Sequence, residues 1–214
     1  MKDLIEELQA ARRRVGTTSL PAGEAHVVTV QRTYPAAIDD VWDAVTTKER
    51  IARWFLPVTG DLRKGGRYQL EGNAGGEIRD CEPPERLAVT WEVGDVDPDA
   101  GDASLVTLTL TALDDDLTEL TLEHAAVVPP EFWDGYGPGA VGVGWDMALL
   151  GLVAHLEGVD LGPPEELERS PEMRESMQVS SEAWGRAATE SGEEAHIAGR
   201  RVAATTTFYV PPEG

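Results

Sequence analysis

Cysteine is nearly absent from this chain: Cys81 is its single copy in 214 residues. One thiol cannot form an intramolecular disulfide, which fits a reducing compartment. No histidine or helix start lies near Cys81 in sequence to lower its pKa, so a reactive thiol is not expected. Positive charge is also scarce. Asp and Glu number 39 against 18 Lys and Arg, a formal net charge of −21. Such a surface repels phosphate backbones and anionic lipid heads, so neither nucleic acid nor a membrane surface is an expected partner. Long apolar runs are lacking too. The longest, Ala148 to Ala154, falls far short of the ~18 residues that span a bilayer. The N-terminus MKDLIEEL is charged from its second residue and has no apolar signal core, so a cytoplasmic location is expected.

Catalytic and metal signatures are missing as well. His26, His124, His155 and His196 are scattered, and no pair has zinc-ligand spacing, so no metal or other cofactor is expected. No G-x-S-x-G elbow occurs. The glycines from Gly135 to Gly144 lack the Lys and Ser or Thr of a phosphate loop, and a flexible lid or a tight helix start suits them better. Asp80 and Glu123 are conceivable acid–base groups. Glu123 has outward strand parity, Asp80 lies near a strand end, and no paired carboxylates are readable. An enzyme is therefore not favoured.

What the chain does contain is periodicity. Residues 2–15 read as a helix, with Leu4, Leu8, Ala11 and Val15 on one face and Arg12, Arg13 and Arg14 suiting its C-terminal dipole. Residues 16–23 read as a linker. A strand follows over about 25–33, then a short helix with Val41, Trp42 and Val45. Thr46 and Glu49 have capping-box spacing for a second short helix carrying Ile51, Trp54 and Phe55.

From Gly60 to Ala126 the period changes to two. Tyr68 and Leu70 alternate with polar residues, as do Leu87, Val89, Trp91 and Val93. Val106, Leu108 and Leu110 repeat the pattern, followed by Leu120 and Leu122. Turn signals separate them, including an acidic loop at 94–102. Such strands predict an antiparallel meander with one buried face. A long helix follows, to about Gly158, with Val141, Trp145, Ala148, Leu149, Leu152 and Leu156 as its apolar stripe. Gly142 and Gly144 within it suggest close approach to a backbone or a ligand.

Beyond Leu161, Ser170-Pro171 and the Ser191–Glu194 spacing each suggest a helix start. One helix carries Met173, Met177, Trp184 and Ala188; the other carries Ala198, Val202, Thr205 and Tyr209. These faces need a surface to dock on, either the outer sides of the short helices near Trp42 and Trp54 or a second subunit. The chain thus divides into 1–22, a domain over 23–158, and a helical extension over 159–214. The fold class is α+β, a curved antiparallel sheet around one long helix.

Several stretches carry a family resemblance. Val41 to Trp54 (VWDAVTTKERIARW), preceded by Arg32, resembles a characteristic helix pair. Gly60 to Tyr68 (GDLRKGGRY) resembles the hairpin after it, and Cys81 to Trp91 (CEPPERLAVTW) a later strand. Leu120 to His124 (LTLEH) with Gly144-Trp145 resembles the closing pattern. Together they resemble the SRPBCC superfamily, the helix-grip fold of START and birch-pollen-allergen proteins, in the branch named for the activator of the heat-shock protein 90 ATPase. The resemblance covers about residues 25–157.

It implies a small apolar or amphipathic ligand between sheet and long helix, with His124 and Tyr68 as polar contacts. Leu70, Trp91, Leu108, Leu122, Trp145, Leu149 and Leu152 would form the walls. His124 shares inward parity with Leu120 and Leu122, and the same parity suits a structural histidine near Trp145. Alternatives implied by the same family are a co-chaperone module and a cavity enzyme such as a cyclase, dehydratase or hydrolase. A homodimer through the C-terminal helices is a further expectation.

Overall fold

A computed structural model describes residues 4–94, 102–162, 166–167 and 170–211. Eight strands form one antiparallel sheet: β1 (Arg12–Leu20), β2 (Gly23–Tyr34), β3 (Val58–Gly60), β4 (Arg67–Leu70), β5 (Gly75–Glu82), β6 (Arg86–Thr90), β7 (Ser104–Asp114) and β8 (Leu117–Ala126). Their order is β1-β2-β8-β7-β6-β5-β4-β3. The chain is α+β, as its periodicity requires. The meander's inward residues Val106, Leu110, Leu120 and Leu122 are buried, while Thr107, Thr111 and Glu123 between them face out. The acidic turn expected at 94–102 lies outside the described residues except at its two ends.

The helices are α1 (Leu4–Gln9), α2 (Ile38–Thr46), α3 (Lys48–Trp54), α4 (Pro130–Tyr136), α5 (Gly139–Glu157), α6 (Pro171–Glu190) and α7 (Ala195–Tyr209). The long helix α5 lies against the sheet, and α2 and α3 close one side. Gly151 lets α3 come close, because a Cβ there would stand 2.5 Å from the Trp54 carbonyl oxygen. The Trp54 indole in turn donates to the Ala44 carbonyl at 2.9 Å.

The N-terminal helix expected over 2–15 is shorter, and the linker expected after it is a strand. Residues 12–20 pair with residues 23–31 of β2, from Arg12–Gln31 to Leu20–Gly23. The i, i+4 spacing of Leu4 and Leu8 does mark α1, but Ala11, Arg13 and Val15 share a face through period two. Arg13 therefore points inward instead of capping a helix. Two capping assignments also change. The Thr46 hydroxyl donates back to the Trp42 carbonyl, and Thr47 occupies the N-cap of α3. Glu194 occupies the N-cap of α7, while Ser191 donates to the Ala188 carbonyl. The Ser170 cap is as expected, accepting from the Met173 N–H at 3.1 Å.

The tail helices do not dock near Trp42 and Trp54. Instead α6 packs on α5, α1 and β1, and α7 packs on α6 and α4. This explains why α5 is apolar nearly all round: the sheet covers one side and α6 the other. Its 19 residues are long and apolar enough to cross a membrane by length and composition, yet most of them are buried inside the fold. The glycine-rich segment supplies α4 and the first turns of α5. Gly142 meets the Trp184 indole, so the close approach it permits is to a side chain.

Candidate functional site

An apolar cavity of about 130 Å³ lies between α5, the α2–α3 pair and strands β3 to β8. Seven of the nine residues expected at a site line it: Tyr68 and Leu70 on β4, Trp91 just after β6, Leu108 on β7, Leu122 on β8, and Trp145 and Leu149 on α5. Two do not. Leu152 is fully buried one turn further along α5, in the main core. His124 sits behind Trp145 and does not reach the cavity.

The sequence reading missed other walls. Val89 and Leu87 share inward parity with Trp91, and Val106 with Leu108, so alternation alone could have found them. Ile78 and Cys81 both line the cavity although their numbers differ in parity. A register shift between Ile78 and Asp80 puts Ile78 opposite Val89 and Cys81 opposite Leu87, and no sequence signal marks that bulge. Phe55 shares helical spacing with Ile51 and is expected on the second short helix, but it stands just past the end of α3, as its C-cap.

The aromatic walls touch one another. Trp91 and Trp145 lie 4.8 Å apart between ring centroids, at 57°. Phe55 is 6.4 Å from Trp91 and 6.3 Å from Trp145, and Tyr68 is 6.5 Å from Trp91. Such spacings suit tilted and offset aromatic contacts.

Polar tips at the wall are already engaged. The Tyr68 hydroxyl donates to the Thr90 carbonyl at 2.7 Å, and burial pushes its pKa up. The Trp145 indole donates to His124 Nδ1 at 3.0 Å. The Cys81 thiol is raised by burial first and by Asp80 second, which keeps it protonated. Asp80 itself is held below the usual carboxylate range by Lys64, and it also pairs with Arg86. Glu123 faces outward in the middle of the Thr29–Glu123–Thr107 row.

His124 is satisfied on both nitrogens. Nδ1 accepts from Trp145, so Nε2 carries the proton and donates to the Ser104 hydroxyl at 2.8 Å. Burial lowers its pKa to about 4. The folded value lies below the unfolded one near 6.5, so the neutral ring stabilises the fold above that pH. That contribution is lost as pH falls from about 6.5 to about 4. The expected loss is about 3 kcal/mol. Urea melts of the wild type and His124→Asn between pH 7 and pH 4 measure it, because the asparagine does not titrate. The wild type should lose about that much stability relative to the variant; a constant difference refutes the assignment.

A second buried polar cluster lies on the opposite side of α5. Asp146 is 2% exposed. Its Oδ2 accepts from Arg13 Nε at 2.9 Å, from the Trp184 indole at 3.0 Å and from the Ser180 hydroxyl. Arg13 also donates to the Leu8 and Ala11 carbonyls, at 2.9 Å and 3.2 Å. The cluster joins β1, α1, α5 and α6 and has no opening to the cavity. Among the described residues no group of histidine, cysteine and carboxylate side chains could hold a metal ion.

A curved antiparallel sheet, a long helix lying against it and an apolar hollow between them define a helix-grip protein. The chain belongs to the family of Activator of Hsp90 ATPase homolog 1-like proteins, whose model matches residues 35–157. It is similar to CalU16 from Micromonospora echinospora. The crystal structure of that protein is 38% identical, with a TM-score of 0.66 over 85% of this chain and 99% of that one. Its solution structure is 41% identical, with a TM-score of 0.68 over 86% and 97%. The likeness to CalU16 therefore extends beyond the family segment. An HSP90 activator from Plasmodium falciparum shares the fold, at 20% identity and a TM-score of 0.53 over 63% of this chain and 97% of that one. No curated protein matches the chain.

Proposed function

We propose that the cavity binds a small, uncharged, apolar molecule the size of one aromatic ring. The observation that carries this reading is the wall: 21 residues line the hollow, and none bears a charge at neutral pH. Binding pockets are mostly apolar, with a few placed polar groups. A dry apolar cavity of about 150 Å³ in another protein admits benzene, so the volume here is of a useful size. Trp91, Trp145 and Phe55 offer ring faces to a flat ligand. A carboxylate would lose its hydration there with no cation to meet it.

Calorimetric titration with benzene and with benzoate tests this. Benzene should bind, and benzoate should bind at least about tenfold more weakly. Cys81, the single thiol, lies in the cavity wall, so benzene should also slow its alkylation by N-ethylmaleimide. Preference for the carboxylate, or no binding of either compound, overturns the reading.

A further inference from the structure

We infer that Ser104 and His124 act as a positioning pair, holding the Trp145 indole in the one orientation that makes it a wall of the ligand cavity. The inference rests on the reading of that cavity as a ligand site. Neither member of the pair lines the cavity, yet both are tied to a residue that does. Ser104 opens β7, and His124 lies on β8 opposite Val106, two residues further along β7. Both project from the inner face, and Ser104 reaches His124 Nε2 diagonally across the two strands.

The direction of the chain follows from its donors. An indole N–H can only donate, so Trp145 requires an acceptor at His124 Nδ1. Nδ1 is an acceptor only in the tautomer that carries its proton on Nε2. The Ser104 oxygen favours that tautomer by accepting the Nε2 proton. The imidazole meets the indole edge-on, with centroids 5.8 Å apart and planes at 82°. Pinned by its N–H edge, the indole turns its remaining surface to Trp91 and Phe55, which are themselves cavity walls. Without the acceptor, the buried N–H is unpaired and the indole is driven to turn in search of another partner. The aromatic wall then moves.

Asparagine separates positioning from mere filling of space. Its Oδ1 stands two bonds from Cβ, as Nδ1 does in histidine, so His124→Asn can keep the acceptor, whereas His124→Leu cannot. In the full-length protein, nuclear Overhauser contacts between the Trp145 and Trp91 rings should persist in His124→Asn and vanish in His124→Leu. The benzene Kd should rise about tenfold in His124→Leu, the scale of one lost buried hydrogen bond, and stay within about twofold in His124→Asn.

Ser104→Ala, a milder change, should weaken benzene binding about threefold, and it carries the test if the leucine variant does not fold. Ring contacts and Kd unchanged in His124→Leu, with only the melting temperature lowered, would show that the histidine supports the fold and positions nothing. Equal losses in the asparagine and leucine variants would also overturn the inference. If the wild type binds no benzene, the ligand reading fails alone, because the ring contacts still decide whether the pair positions Trp145.

Discussion

Arg13→Leu is expected to lower the stability of the fold by about 3–5 kcal/mol, as removal of one partner from a buried ion pair does. Among the described residues the guanidinium is the only cation touching Asp146, whose carboxylate is 2% exposed on the side of α5 away from the cavity. Without it the charge has two neutral donors left, the Ser180 hydroxyl and the Trp184 indole. The Leu8 and Ala11 carbonyls lose a donor at the same time. Adding Asp146→Asn should recover part of the loss, because the amide removes the buried charge while its oxygen still accepts from Ser180 and Trp184.

The pH dependence has a definite sign. Burial raises the Asp146 carboxyl pKa, and Arg13 opposes that rise. A carboxyl whose folded pKa exceeds its unfolded value costs stability as pH rises through that range. The deficit of Arg13→Leu should therefore be smaller at pH 5 than at pH 8. Urea melts at the two pH values measure it. A deficit below about 0.5 kcal/mol, the size of a surface substitution, means that the pair is not a buried one.

The strands were legible because their burial is one-sided. Leu120 and Leu122 alternate with Thr121 and Glu123, and no helix can satisfy that pattern. The same logic was available for β1, where Ala11, Arg13 and Val15 alternate. Three consecutive arginines hid it, since arginine inside a strand's buried face is rare without a partner. That partner, Asp146, stands 133 residues away, and long-range pairing leaves no local trace.

The cavity walls divide in the same way. Tyr68, Trp91, Leu108 and Leu122 were readable from parity, and Trp145 and Leu149 from helical spacing. Cys81 depends on a bulge, which has no period to read, and Phe55 on the irregular C-cap of α3, where helical spacing no longer gives the direction of the side chain. His124 was correctly read as inward, but parity gives only the face of a strand. Whether a residue on that face meets the hollow or the back of another wall depends on the depth at which α5 packs. The docking place of the tail was misjudged for a related reason. The apolar stripe on α5 marks its contact with the sheet, whereas its contact with α6 runs through Gly142 and Asp146, a small and a polar residue outside that stripe.

Gly142→Val is expected to displace the C-terminal helical pair from the body of the protein. A Cβ at position 142 would stand 2.1 Å from Trp184 Cε2 and 2.4 Å from its Nε1, distances at which one group must move. Trp184 has no free direction to take, because it is fully buried and its indole N–H is bonded to Asp146. The substitution therefore unseats α6 and takes away both the ring's packing and one of the donors to the carboxylate.

The expected cost approaches that of deleting a buried tryptophan, about 3–5 kcal/mol. Trp184 fluorescence should shift to the red and protease cleavage should appear in the tail, in the full-length chain. Gly144→Ala is the matched control. It lies two residues along the same helix, where a Cβ would meet only the Tyr209 hydroxyl at an ordinary 3.5 Å. Replacing a helical glycine by alanine without a clash should stabilise the protein by up to about 1 kcal/mol. Equal and small effects of the two substitutions would show that α6 does not rest on Gly142. The predicted divergence, a large loss at 142 and a gain at 144, places the tail on the outer face of α5 as a structural part of the fold.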